Sequence, residues 1–105
     1  MPVVYILRVE LNFFTVQPSF TTEPSNQTIV ENEEVTLHCM ATGNPIPEIT
    51  WIKDGKTVAQ GDKLSFKANR SHSGEYWCKA GNGLDISINA SAYLDVQCKW
   101  MTVLK

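Results

Sequence analysis

Apolar and polar residues alternate one for one over several stretches of this chain. Val35, Leu37, Cys39 and Ala41 fall on one side of a two-residue period, with Thr36, His38 and Met40 on the other. That period sends successive side chains to opposite faces of a half-buried β-strand. The same pattern places Ile49 and Trp51 inward on a strand over Glu48–Lys53, and Leu64 and Phe66 inward over Lys63–Lys67. It is cleanest near the C-terminal end. There Ile86, Ile88, Ala90, Ala92, Leu94 and Val96 oppose Ser87, Asn89, Ser91, Tyr93 and Asp95. After Gln97 the pattern stops, and residues 98–105 belong to no strand that can be paired.

Turn signals separate these runs. Residues 31–34 form an acidic turn, and Gly43-Asn44-Pro45-Ile46-Pro47 a second one. Asp54-Gly55 supplies the positive φ that a tight hairpin needs, leading into a short strand over 56–59. Gly61-Asp62 and Gly81-Asn82-Gly83 read as further turns, the latter a hairpin into the last strand. Gln27–Val30 completes a first edge strand. Residues 18–25, with Pro18 and Pro24, read as a linker into it, since an edge tolerates a missing N–H donor.

Within this frame Trp51 stands twelve residues after Cys39, and the chain closes on Ser73-Gly74-Glu75-Tyr76-Trp77-Cys78. These residues resemble the Cys/Trp/Tyr/Cys frame of immunoglobulin domains, of the I-set or C2 type found in multi-domain adhesion and matrix proteins. The resemblance covers residues 18–97. It implies an all-β, immunoglobulin-like Greek-key sandwich of two antiparallel sheets, stapled by a Cys39–Cys78 disulfide. Trp51 would lie against the bridge, and the Tyr76 hydroxyl would bond to the backbone just upstream. Such a bridge closes a loop of roughly 40 residues, worth about 4 kcal/mol in the chain-entropy model. Only 26 residues separate Trp51 from Cys78, so the family's strand D is expected to be short or absent. One position departs from the family pattern: His72 stands where an Asp usually pairs with an Arg.

Length allows one domain, and 43% hydrophobic with 19% charged residues is ordinary for a globular chain. Between Pro18 and Gln97 six Lys and Arg face ten Asp and Glu. That acidic excess argues against a nucleic-acid or heparin surface. No run of 18 apolar residues is present, so no membrane span is expected in this sequence. Asn26-Gln27-Thr28, Asn69-Arg70-Ser71 and Asn89-Ala90-Ser91 are three N-glycosylation acceptors. Together with the bridge they point to the secretory pathway and to an extracellular or cell-surface location. Cys98 is left over, as a free thiol at a cut end or as a bridge to another chain. Residues 98–105 read as a truncated linker. Residues 1–17 read either as a non-native or poorly ordered head, or as the end of a preceding repeat. For the second, Phe13-Phe14-Thr15-Val16-Gln17 matches Tyr93-Leu94-Asp95-Val96-Gln97 at an interval of 80 residues.

Neither His38 nor His72 has partners at a spacing that suggests catalysis or a metal, and no phosphate loop or cofactor motif is present. The reading is a non-catalytic recognition module whose partners are proteins, homophilic or heterophilic, and neighbouring immunoglobulin domains. Strand parity sends Ile52, Glu75, Trp77, Lys79 and Tyr93 to one solvent-facing sheet surface, and large aromatic side chains there are typical binding anchors. The competing reading has Trp77 merely covering the sheet. Asn89 shares that face near Trp77, where a glycan would either stack on the indole or obstruct a partner. A receptor ectodomain, a muscle-type intracellular spacer and an accessory domain of a secreted enzyme are the alternatives.

Overall fold

A computed structural model of the chain describes residues 15–83 and 86–98. Among them run β1 (Val16–Thr22), β2 (Gln27–Val30), β3 (Glu34–His38), β4 (Met40–Asn44), β5 (Glu48–Lys53), β6 (Lys56–Gln60) and β7 (Lys63–Lys67). A 3-10 turn at Arg70–His72 follows, then β8 (Gly74–Gly81) and β9 (Ser87–Gln97). One layer is a five-stranded sheet in the order β2-β9-β8-β5-β6. In the facing layer β4 pairs with β1, and β3 with β7. β3 and β4 are halves of one alternating run. They part at Cys39, whose N–H donates to the Asp62 carbonyl at 2.9 Å.

Between the layers the inward side chains meet as the alternation requires. Val35, Leu37 and Cys39 come from one layer, and Ile49, Trp51, Tyr76, Cys78, Ala80, Leu94 and Val96 from the other. Each fully buried aliphatic side chain contributes about 1.5–3 kcal/mol relative to leaving it in water. The Cys39–Cys78 disulfide joins the layers, with Cα atoms 6.5 Å apart. Trp51 lies opposite Cys78 in the β5–β8 ladder, and none of its surface reaches solvent.

No strand D lies between β6 and β7, because Gly61-Asp62 alone carries the chain from one layer to the other. This crossing is held by three hydrogen bonds. The Gly61 N–H donates to Ile49 O at 2.9 Å, the Trp51 indole Nε1–H donates to Gly61 O at 2.9 Å, and Asp62 O accepts from Cys39. Glycine suits the position, since φ there is +109°. The β5–β6 hairpin also follows expectation, with Asp54 at φ 54° and Gly55 at φ 75°.

Three details differ from the sequence reading. Residues 18–22 belong to β1 rather than to a linker. The β1–β4 register is irregular between Val16 and Ser19, so the missing N–H of the buried Pro18 interrupts no regular pair. The chain then changes layers over residues 23–26, and β2 consequently runs parallel to β9 in an otherwise antiparallel sheet. Finally, Gly81 pairs with Ser87 inside the β8–β9 ladder. The connection therefore spans residues 82–86, and Ile86 is exposed instead of extending the inner face. The expectations for residues 1–14 and 99–105 lie outside the described residues. Cys98 is half-buried and bonded to no other cysteine among the described residues.

Candidate recognition face

The outer face of the five-stranded sheet is assembled by register. Trp77 of β8 lies between Ile52 of β5 and Ser91 of β9. One pair along, Lys79 lies between Thr50 and Asn89; one pair the other way, Glu75 faces Tyr93. The five side chains expected to share a surface are thus adjacent. Trp77 is 41% exposed and Tyr93 52%, while Ile52 is half-buried beside the indole. Ser91 donates from Oγ to Glu75 Oε2 at 3.2 Å, a diagonal tie that fixes the carboxylate beside Tyr93. The surface therefore has an apolar centre flanked by Lys79 and Glu75. A shallow groove of about 420 Å³ runs along it, lined by Ile52, Trp77, Lys79, Ser87 and Asn89.

All three sequon asparagines are exposed. Asn26 accepts at Oδ1 from the Tyr93 N–H at 2.8 Å, which ties the layer crossing to β9. Asn69 caps the 3-10 turn, its Oδ1 accepting from both the N–H and the hydroxyl of Ser71 at 2.8 Å. Asn89 makes no side-chain hydrogen bond with a described residue and stands free on the outer face.

The corner residues adopt their expected arrangement. Tyr76 donates its hydroxyl to the His72 carbonyl at 2.6 Å. Burial, with a smaller push from the Asp54 carboxylate, raises the Tyr76 phenol above its ordinary pKa. His72 packs its ring against Phe66 at 4.5 Å, occupying the place where the family carries an ion pair. His38 lies exposed on β3, in the other layer. Among the described residues, no three His, Cys, Asp or Glu side chains gather as metal ligands would.

Two features escaped the sequence reading. The missing strand D leaves an open cleft of about 580 Å³ between β6 and β7, lined by Val58, Leu64, Phe66 and the otherwise buried Tyr76. The short Trp51–Cys78 interval was its available signal. The second is Asn82, read as a turn residue. It is buried and donates from Nδ2 to the Val16 carbonyl at 2.9 Å, pinning the start of β1.

Comparison with known proteins agrees with this architecture. The family model for the immunoglobulin domain matches residues 17–82, and the chain belongs to that family. It is 37% identical over 91 residues to the peroxidasin homolog of Mus musculus, a match that covers 77% of this chain and 6% of that protein. Among solved structures it resembles Sidekick-1 immunoglobulin domains 1–5, with a TM-score of 0.75 and 28% identity over 81% of this chain and 20% of that one. It also resembles a chain from the complex of Dpr2 Ig1-Ig2 with DIP-Theta Ig1-Ig3, with a TM-score of 0.71 and 31% identity over 78% of this chain and 32% of that one. The chain thus spans a small fraction of the relative it matches in sequence.

Proposed function

We propose that this chain is a non-catalytic protein-recognition unit of a multi-immunoglobulin extracellular or cell-surface protein, working in adhesion or matrix assembly. The carrying observation is the outer face of β5, β8 and β9. There Trp77 stands between Ile52 and Ser91 with 41% of its surface in water, outside the buried core. An exposed indole ringed by apolar and oppositely charged neighbours fits a contact anchor better than a solubility surface. Likeness to a chain crystallised in an immunoglobulin–immunoglobulin complex supports a partner of the same class. The bridge and three exposed sequons support the secretory location. Residues 18–97, with β1 beginning two residues earlier, form the repeat unit in this reading, flanked by further units.

The test is multivalent display of the chain, prepared with Asn89 unglycosylated, on beads, probed against itself and against a set of extracellular immunoglobulin domains. Trp77→Ala should abolish the strongest interaction, and self-clustering would mark it homophilic. If Trp77→Ala keeps every interaction of the unsubstituted chain, this face is not the contact surface. A non-reducing peptide map of the secreted chain tests location: free Cys39 and Cys78 thiols with three bare asparagines would overturn it.

A further inference from the structure

Asn89 lies on the same strand face as Ser91 and Tyr93, and it is the diagonal cross-strand neighbour of Trp77. Diagonal neighbours are about 7–8 Å apart between Cα atoms, close enough for long side chains or their substituents to touch. Its side chain lines the shallow groove that Ile52 and Trp77 also line. The other two acceptor asparagines use Oδ1 to hold backbone elsewhere, whereas Asn89 is held by nothing described. We propose that Asn89 carries an N-linked glycan whose first sugar lies in this groove against Trp77, so that glycosylation gates the recognition face.

The acceptor chemistry is that of Asn-x-Ser. The Asn89 Nδ2 forms a bond to C1 of the reducing-end sugar of a lipid-diphosphate-linked oligosaccharide. The C1–O bond to that diphosphate breaks, the lipid diphosphate leaves with the bonding electrons, and Nδ2 loses one proton. No oxidant or reductant is involved. The geometry then decides where the sugar goes. The apolar C–H face of a pyranose suits contact with an indole, and covering the exposed part of Trp77 removes apolar surface from water. Lys79 at the rim offers donors to sugar hydroxyls. Because the glycan is tethered one diagonal away, its effective concentration over Trp77 far exceeds that of any free partner at ordinary levels. A glycosylated chain has a closed face; an unglycosylated one presents Ile52, Trp77 and Tyr93 to a protein.

This inference rests on the secretory recognition reading, and the experiment separates the two. The full 105-residue chain is secreted from eukaryotic cells behind a leader, as the unsubstituted protein and as Asn89→Gln. The Asn89 peptide is mapped for glycan, and Trp77 oxidation is followed by hydroxyl-radical footprinting. Occupied Asn89 with Trp77 oxidation slowed about threefold relative to Asn89→Gln is the expected result, corresponding to a 41% exposed residue losing about two thirds of its exposure to the sugar. Trimming the folded glycoprotein to a single sugar should preserve the protection, which also answers the question should Asn89→Gln secrete poorly. A bare Asn89, or an occupied one with unprotected Trp77, overturns the proposal. Bead binding separates the outcomes further. If Asn89→Gln binds no better than the glycosylated chain although Trp77 is protected, the recognition reading and the gating built on it have failed, and the sugar contact alone stands. If Trp77→Ala abolishes binding but Asn89 is bare, the reverse holds.

Discussion

Trp51 and Trp77 lie on neighbouring strands of one sheet, one register pair apart, on opposite faces. Trp51 is wholly buried against the Cys39–Cys78 bridge, with its Nε1–H bonded to Gly61 O. Trp77 faces water, flanked by Ile52 and Ser91. The same side chain therefore serves two purposes through strand parity alone. Inside, the indole fills the core and also anchors the two-residue crossing that replaces a strand. Outside, it is 41% exposed and lies beyond the buried core. In the proposed reading, two faces of one sheet separate stability from recognition.

The sharpest way to break this contrast is to delete each indole in turn. Trp51→Ala should cost about 3–5 kcal/mol, because it opens a cavity beside the bridge and leaves Gly61 O without its donor. Urea denaturation measures it, and a loss under about 1 kcal/mol would mean the core does not depend on that indole. Replacing both Cys39 and Cys78 by Ala should cost somewhat less, about 2–5 kcal/mol, mainly by freeing the unfolded chain. In reducing buffer the parent protein should lose a similar amount and the double variant nothing.

Tyr76 gives a third, smaller handle on the inner face. Tyr76→Phe removes the hydroxyl donated to His72 O and should cost about 1–2 kcal/mol. It should also change the response to alkali. The folded phenol has a raised pKa, from burial first and Asp54 second, so the unfolded phenol ionises first, near pH 10. Stability from this group is complete below that pH and is lost as pH rises toward the folded pKa. The chain should thus weaken above about pH 10, and Tyr76→Phe should weaken less steeply over the same range. Equal slopes would show that other groups govern alkaline unfolding.

Most of this inner face was legible in the sequence, because burial imposes a period that residues cannot hide. Val35, Leu37, Ile49, Trp51, Leu94 and Val96 could be placed from alternation, and the cysteine–tryptophan–tyrosine spacing supplied the frame around them. Features without a period were harder to see. Residues 16–22 pair with β4 through an irregular register around Pro18, and neither a proline nor an irregularity announces a strand. Asn82 looked like a turn residue between glycines, yet its amide reaches across 66 positions to Val16, which no local pattern encodes. The outer face was legible only as parity. Sequence could say that Trp77, Tyr93 and Asn89 share a side, while the register was needed to show that Ser91 directly faces the indole and Asn89 lies diagonally from it.

Trp77→Ala should have the smallest effect on folding and thereby completes the contrast. An exposed side chain away from the core is expected to change stability by no more than about 0.5 kcal/mol. The same substitution should weaken partner binding about 30-fold or more if the indole is an anchor, since hot-spot truncations cost about 2 kcal/mol or more. Denaturation and bead binding on one preparation with Asn89 unglycosylated read both numbers. A variant that folds normally and binds normally would reduce Trp77 to a cover for the sheet. A variant that loses several kcal/mol of stability would show that the outer indole packs on Ile52 as a second core. Only the combination of intact folding with lost binding assigns the two faces of this sheet to two separate tasks.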